Sequence, residues 1–194
     1  SEITLTCWAR PQPLARVADA LAAQSINILG ADLYHRTDDL VLDIFRVCNT
    51  NFAPVTSKNA RQRFEQSLND AFLDSEFDFS QAITPQKKPS PEFEAMLAEI
   101  PQRIFIDTTV SAEETVIELQ AVDRLGLLYD VLKTIGRFGH NVTHARINTE
   151  KGVAVDAIYI RDSEGRKITD HKELETLAKA IAKAIQGEVA TAIR

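Results

Sequence analysis

Apolar and polar positions along the chain form a pattern that occurs twice. Ile3–Ala9 and Thr115–Ala121 are short, β-rich and partly alternating, which predicts strands. Leu14, Val17, Ala18 and Leu21 then recur at helical spacing, as do Leu128, Val131, Leu132 and Ile135. Pro13 stands where a first helical position falls, suiting its fixed φ and missing N–H. Asn27–Arg36 and Asn141–Glu150 predict second strands, and Leu40–Cys48 and Val153–Arg161 third strands. Thr37-Asp38-Asp39 and Lys151-Gly152 are the hairpin turns between them. Second helices follow at Lys58–Leu73 and His171–Gln186, and Glu188–Ile193 predicts a fourth strand for the second copy.

The copies align residue by residue. Arg10 falls on Arg124, Leu14 on Leu128, Val17 on Val131, Asn27 on Asn141 and Ala31 on Ala145; one residue fewer in the next turn brings Asp43 onto Asp156. The order β-α-β-β-α-β, twice, with right-handed crossovers, predicts an α+β fold of two ferredoxin-like units. Each is an antiparallel sheet with its helices on one face. The first copy's fourth strand has two candidates, Phe77–Ala82 and, the better one, Ile104–Val110. Thr84–Pro101, with four prolines and Lys87-Lys88, predicts a connection carrying a helical turn around Glu92–Glu99. The expected division is residues 1–83 for the first unit, 84–103 for the linker and 104–194 for the second unit, with 104–110 as the alternative end of the first.

Composition narrows the function classes. The 194 residues are 44% hydrophobic and 26% charged, which is ordinary for a globular chain. The net charge of −6 lacks the basic footprint that nucleic acid or an anionic membrane requires. No apolar run approaches a membrane span. The chain opens on Ser1 with a strand-like run rather than a signal peptide, and the missing Met is expected of a processed or excised chain. Cys7 and Cys48 match no metal spacing and should lie at opposite ends of neighbouring strands, unpaired, as in a reducing cytoplasm.

The candidate chemistry lies in the loop Asp123-Arg124-Leu125-Gly126-Leu127-Leu128, directly before a helix. Gly126 admits backbone conformations closed to other residues and lets a ligand approach the main chain. A helix start offers N–H groups to a carboxylate, and Asp123 could receive an ammonium. Those are the requirements of an amino-acid zwitterion. The competing reading makes Asp123 a helix cap and Gly126 a turn residue. In the first copy the loop is Ala9-Arg10-Pro11-Gln12-Pro13-Leu14, which lacks both Asp and Gly, so the two sites should be unequal. Asn27 and Asn141, each at the turn from first helix to second strand, either shape that turn or turn an amide toward a ligand across a repeat or subunit interface. Asp43 and Asp156 interrupt apolar third strands and read as hydrogen-bonded structural residues. His35, His140, His144 and His171 form no metal-ligand pattern, and Asp170 before His171 reads as a cap. No nucleophile–base or carboxylate pair appears at motif spacing, so no enzyme is expected within these residues.

These residues resemble the ACT domain, a regulatory module that binds small molecules, mostly amino acids. Ile104-Phe-Ile-Asp107, Ser111, Thr115-Val-Ile-Glu118 and Asp123-Arg-Leu-Gly-Leu-Leu-Tyr129, with Leu14-Ala-Arg-Val17, Asn27-Ile28, Ala31, Leu42-Asp43 and Phe45, resemble the last third of the bacterial protein-PII uridylyltransferase/uridylyl-removing enzymes, which end in tandem ACT domains. The resemblance implies a cytoplasmic segment that senses glutamine and sets the balance of UMP addition and removal on the PII nitrogen-signalling protein. It implies catalysis by upstream domains of the same chain and pairing of ACT sheets, within the chain or in a homodimer, with no cofactor or metal in this segment. By position the ligand site is Asp123, Arg124, Leu125, Gly126, Leu127 and Leu128 with Asn141 nearby; Arg10, Gln12, Leu14 and Asn27 correspond in the first copy. Leu125 stands where the family often has Pro. The alternative is a free-standing tandem ACT protein that works as an interaction module or senses another amino acid.

Overall fold

The computed structural model describes residues 1–8, 13–35, 40–73, 95, 99–185 and 189–193. The first unit runs β1 (Glu2–Trp8), α1 (Pro13–Ala23), β2 (Ile26–His35), β3 (Leu40–Asn49) and α2 (Lys58–Leu73). After β4 (Gln102–Asp107), the second runs β5 (Thr115–Val122), α3 (Leu127–Arg137), β6 (Asn141–Glu150), β7 (Val153–Arg161), α4 (His171–Ile185) and β8 (Val189–Ile193). Pro13 does open α1, and Asp170 caps α4 by accepting the Glu173 amide at 2.8 Å. The apolar spacing explains the helices: α3 buries Leu127, Leu128, Val131, Leu132 and Ile135 along one face.

The eight strands among the described residues join one sheet in the order β1-β3-β2-β6-β7-β5-β4-β8. The alternation of each strand sends one set of side chains toward the helices. On β7 these are Ala154, Asp156, Ile158 and Ile160, and on β3 Val41, Asp43, Phe45 and Val47. Among the described residues no helix covers the other face of the sheet, which exposes Trp8, Tyr34 and Val155.

One expected strand belongs elsewhere. Ile104–Val110 was the better candidate for the first copy's fourth strand, yet the strand Gln102–Asp107 lies in the second half of the sheet. It pairs antiparallel with β5 and parallel with β8. The reason is local. Asp107 ends the strand with a carboxylate oxygen that accepts from the Thr109 amide (2.5 Å), the Thr109 hydroxyl (2.7 Å) and the Val110 amide (3.1 Å). That turn folds β4 back on its immediate successor, and Ile104 and Ile106 enter the core shared with Ile117 and Leu119. A near neighbour in sequence closes a smaller loop than a distant β1. The insertion displaces β8 from its ferredoxin-like place beside β5. The other candidate, Phe77–Ala82, and most of the expected helical turn at Glu92–Glu99 lie outside the described residues.

The two units meet along a short seam. Gly30, Ala31 and Asp32 of β2 pair antiparallel with Asn148, Ile147 and Arg146 of β6. His144 extends the seam through an Nδ1 contact of 2.7 Å to the Leu33 carbonyl. A Cβ on Gly30 would lie 2.5 Å from the Arg46 guanidinium, which reaches over it to Asp32 at 2.9 Å. On the helix side α1 packs against both α2 and α3. The loop before α3 therefore sits beside the first unit, not against open solvent.

Candidate functional site at the seam of the two units

The strand β5 ends at Val122, and the Asp123 amide donates to the Gly152 carbonyl at 2.8 Å, tying the loop to the β6–β7 turn. Four residues later the chain is helical. Gly126 is the N-cap, at φ 80° in the left-handed region that glycine enters without strain. No side chain caps α3, so Asp123 is not a helix cap. The Leu127 amide turns back to the Arg124 carbonyl at 3.1 Å. The Leu128 amide, next in the first turn, has no acceptor within the helix.

The Asp123 carboxylate instead crosses the seam. It accepts a hydrogen bond of 3.0 Å from the Asn27 side-chain amide at the start of β2. Asn27 is buried and Asp123 half-buried. Burial pushes the Asp123 carboxyl above its ordinary range, while the bonds from Asn27 and the backbone at Arg124 pull it back. The same charge and, first of all, burial push up the thiol of Cys48, Asn27's partner on β3.

Between Asp123, Asn27 and Gly126 lies a cavity of about 20 Å³, closed on the first unit's side by Ala18 and Ala22 of α1 and on the second unit's by Ala154 and Asp156 of β7. This is room for one water. An amino acid can enter only if the loop and α1 separate. Asp156 is buried and accepts the Asn148 amide at 3.1 Å; burial, opposed by that bond and reinforced by the Asp123 charge, pushes its carboxyl up to about 7. A larger trough of about 610 Å³ lies on the helix-free sheet face, where Phe105, Val155, Arg146 and Glu118 form its floor.

Residues 103–194 match the family model described as "ACR9-like, ACT-like domain". This segment, a little under half of the chain, is similar to an ACT-like domain. Over 181 residues the chain is 30% identical to the bifunctional uridylyltransferase/uridylyl-removing enzyme of Gluconobacter oxydans, covering 93% of the chain and 19% of the relative. With the enzymes of the same description from Rhodospirillum rubrum and Caulobacter vibrioides it shares 28% identity, over 185 residues (95% of the chain, 20% of the relative) and 192 residues (99% and 20%). The chain thus spans about a fifth of the length of the curated relatives it matches.

Within this ACT-like segment, Asp123, Arg124, Gly126, Leu127 and Leu128 all line the cavity. Leu125 is buried beside it. Arg124 turns its guanidinium away, to Asp130 at 2.5 Å and to the Ala184 carbonyl at 3.1 Å, and so fastens the loop to the end of α4. Asn141, expected near this loop, is not there. It starts β6, exposed, and donates to the Asp162 carbonyl at 3.4 Å. The antiparallel seam exchanges the two asparagines: Asn27 of the first copy serves the loop of the second. Arg10 and Gln12 lie outside the described residues; Leu14 is core. Asp156 is the residue that the sequence reading missed as part of this site. Its signal was an acid in the otherwise apolar run Val153–Ile160. Among the described residues no cluster of His, Cys, Asp and Glu could hold a metal, and no helix is long and apolar enough to cross a membrane.

Proposed function

We propose that this chain is the amino-acid-sensing regulatory part of an enzyme that adds and removes UMP on the PII nitrogen-signalling protein, with glutamine as its ligand. The observation that carries the reading is the Asp123–Asn27 bond beside an uncapped helix start. An α-amino acid has complementary groups. Its carboxylate meets the Leu128 amide at the start of α3, where the helix dipole also favours a negative charge. Its ammonium meets Asp123. Asn27, released from Asp123, is then free to bond the ligand's side-chain amide. Because the closed cavity must open between α1 and the loop, ligand binding acts on the relation of the two units, and that motion is what the catalytic domains of the parent enzyme would read. The relatives' bifunctional description supports this parentage. No catalytic step falls to these residues.

The small volume of the cavity favours a second reading, an interaction module without a ligand. Isothermal titration with glutamine, with glutamate and other amino acids for comparison, separates the two. Saturable binding near one site per chain, lost in Asp123→Ala and Gly126→Val, is the expected result. Absence of heat with every amino acid would remove the sensor reading, and binding of a different amino acid would remove only glutamine.

A further inference from the structure

The acid the sequence presents as structural, Asp156, shares the cavity with Asp123. We propose that Asp156 is a residue of the ligand site, and that a ligand's cationic group entering the cavity drives the proton off the Asp123–Asp156 carboxyl pair into solvent. The inference rests on the amino-acid-binding reading and adds to it the ligand's required chemistry, a cation, together with a linkage to pH.

The geometry sets the argument. Asp156 projects from β7 on the helix-facing side of the sheet, between Ala154 and Ile158, and is 4% exposed. Its neighbours are otherwise apolar or neutral: Leu119 opposite it on β5, Ile147 and Thr149 on β6, Ala18 and Ala22 on α1. The titratable or charged groups that line the cavity with it are Asp123 and Arg124 of the loop and Tyr129 of α3, with Cys48 of β3 beyond Asp123; the trough that Asp156 also borders carries Arg103 of β4, Glu118 of β5 and Arg146 of β6. Arg124 is committed to Asp130 and Ala184, and the charge that acts on Asp156 is that of Asp123, a like charge. Two carboxylates sharing a closed cavity resist double ionisation. Among the described residues one hydrogen bond, from the Asn148 amide, supports the ionised form of Asp156, and burial together with Asp123 holds it up to about 7. A cation placed between the two acids reverses that balance: it lets both ionise, and the O–H proton of Asp156 passes to bulk water. A purely anionic or neutral ligand would leave the proton in place.

The test is calorimetric titration of the wild-type chain with glutamine and then with each of the other protein amino acids. It is run between pH 6 and 8 in pairs of buffers of different ionisation enthalpy. The expected result is release of a large fraction of one proton per bound ligand below pH 7, with apparent affinity rising about tenfold from pH 6 to 8. Asp156→Asn should bind with a flat pH profile and no release. Should that variant not fold, the carboxyl-carbon resonance of Asp156 in the wild-type chain decides: it should titrate near neutrality in the free protein and well below it in the complex. Binding without proton release, or release unchanged in Asp156→Asn, overturns this inference and leaves the amino-acid site standing. Binding of no amino acid at any pH overturns both.

Discussion

The bond between Asn27 and Asp123 joins the two units and should be measurable as a coupling energy. Asn27→Ala, Asp123→Ala and the double variant form a cycle, followed by urea unfolding at pH 7.5. The donor is a buried neutral amide and the acceptor a half-buried carboxylate 3.0 Å away. That places the bond between the neutral and charged classes, about 1.5–2 kcal/mol before discount for Asp123's remaining exposure. Asn27→Ala alone should cost about 2 kcal/mol, since it strands a desolvated acid. Asp123→Ala should cost less, because it also removes a carboxyl that burial disfavours. The double variant should then be less destabilised than the sum by about 1–1.5 kcal/mol. A coupling below about 0.3 kcal/mol would be within the additivity expected of distant sites and would refute a bond across the seam.

Other positions test neighbouring parts of the account. Gly126→Ala forces a Cβ into the left-handed conformation and should lower stability by about 1–2 kcal/mol in the same unfolding assay, with ligand affinity falling alongside. Asp107→Ala removes the turn acceptor that folds β4 onto β5 and should cost about 2 kcal/mol, with faster hydrogen exchange confined to β4 and β8. Asp156 has its carboxyl raised in the folded state, so its stabilising contribution is full below about pH 4 and is lost as pH rises through about 7. Asp156→Asn should therefore gain on the wild type across that window, by up to about 4 kcal/mol at pH 8, read from melts at matched ionic strength. Burial lowers the His140 imidazole against the opposing pull of Glu173. Its contribution is present above about pH 6.5 and is lost as pH falls below that value, and His140→Phe should flatten the acid side of the stability curve.

The strand and helix positions were legible because each has one buried face, and the sequence period records it. The ends of Asn141–Glu150, Val153–Arg161 and Lys58–Leu73 match the structure to the residue. What the period could not carry was partnership. Ile104 and Ile106 look equally apolar whichever unit receives them. Their assignment to β5 and β8 depends on the Asp107 turn, a side-chain bond with no periodic signal. The site was legible in one half. Asp123 and Gly126 stood out by chemistry at a helix start, and an asparagine amide crossing a repeat interface was among the readings of Asn27 and Asn141. Which asparagine serves the loop follows from the antiparallel β2–β6 seam, which neither copy encodes by itself. Asp156 resembled its repeat mate Asp43, buried on β3, and only the cavity it shares with Asp123 distinguishes the two.

Hydrogen-exchange mass spectrometry of the chain with and without saturating glutamine addresses the central claim that the ligand binds where the second unit's loop meets the first unit. The account predicts added protection in two segments at once, residues 123–129 and residues 26–28, with the helix-free sheet face unchanged. Protection confined to the loop, protection centred on the trough around Phe105 and Val155, or none in either segment would contradict it.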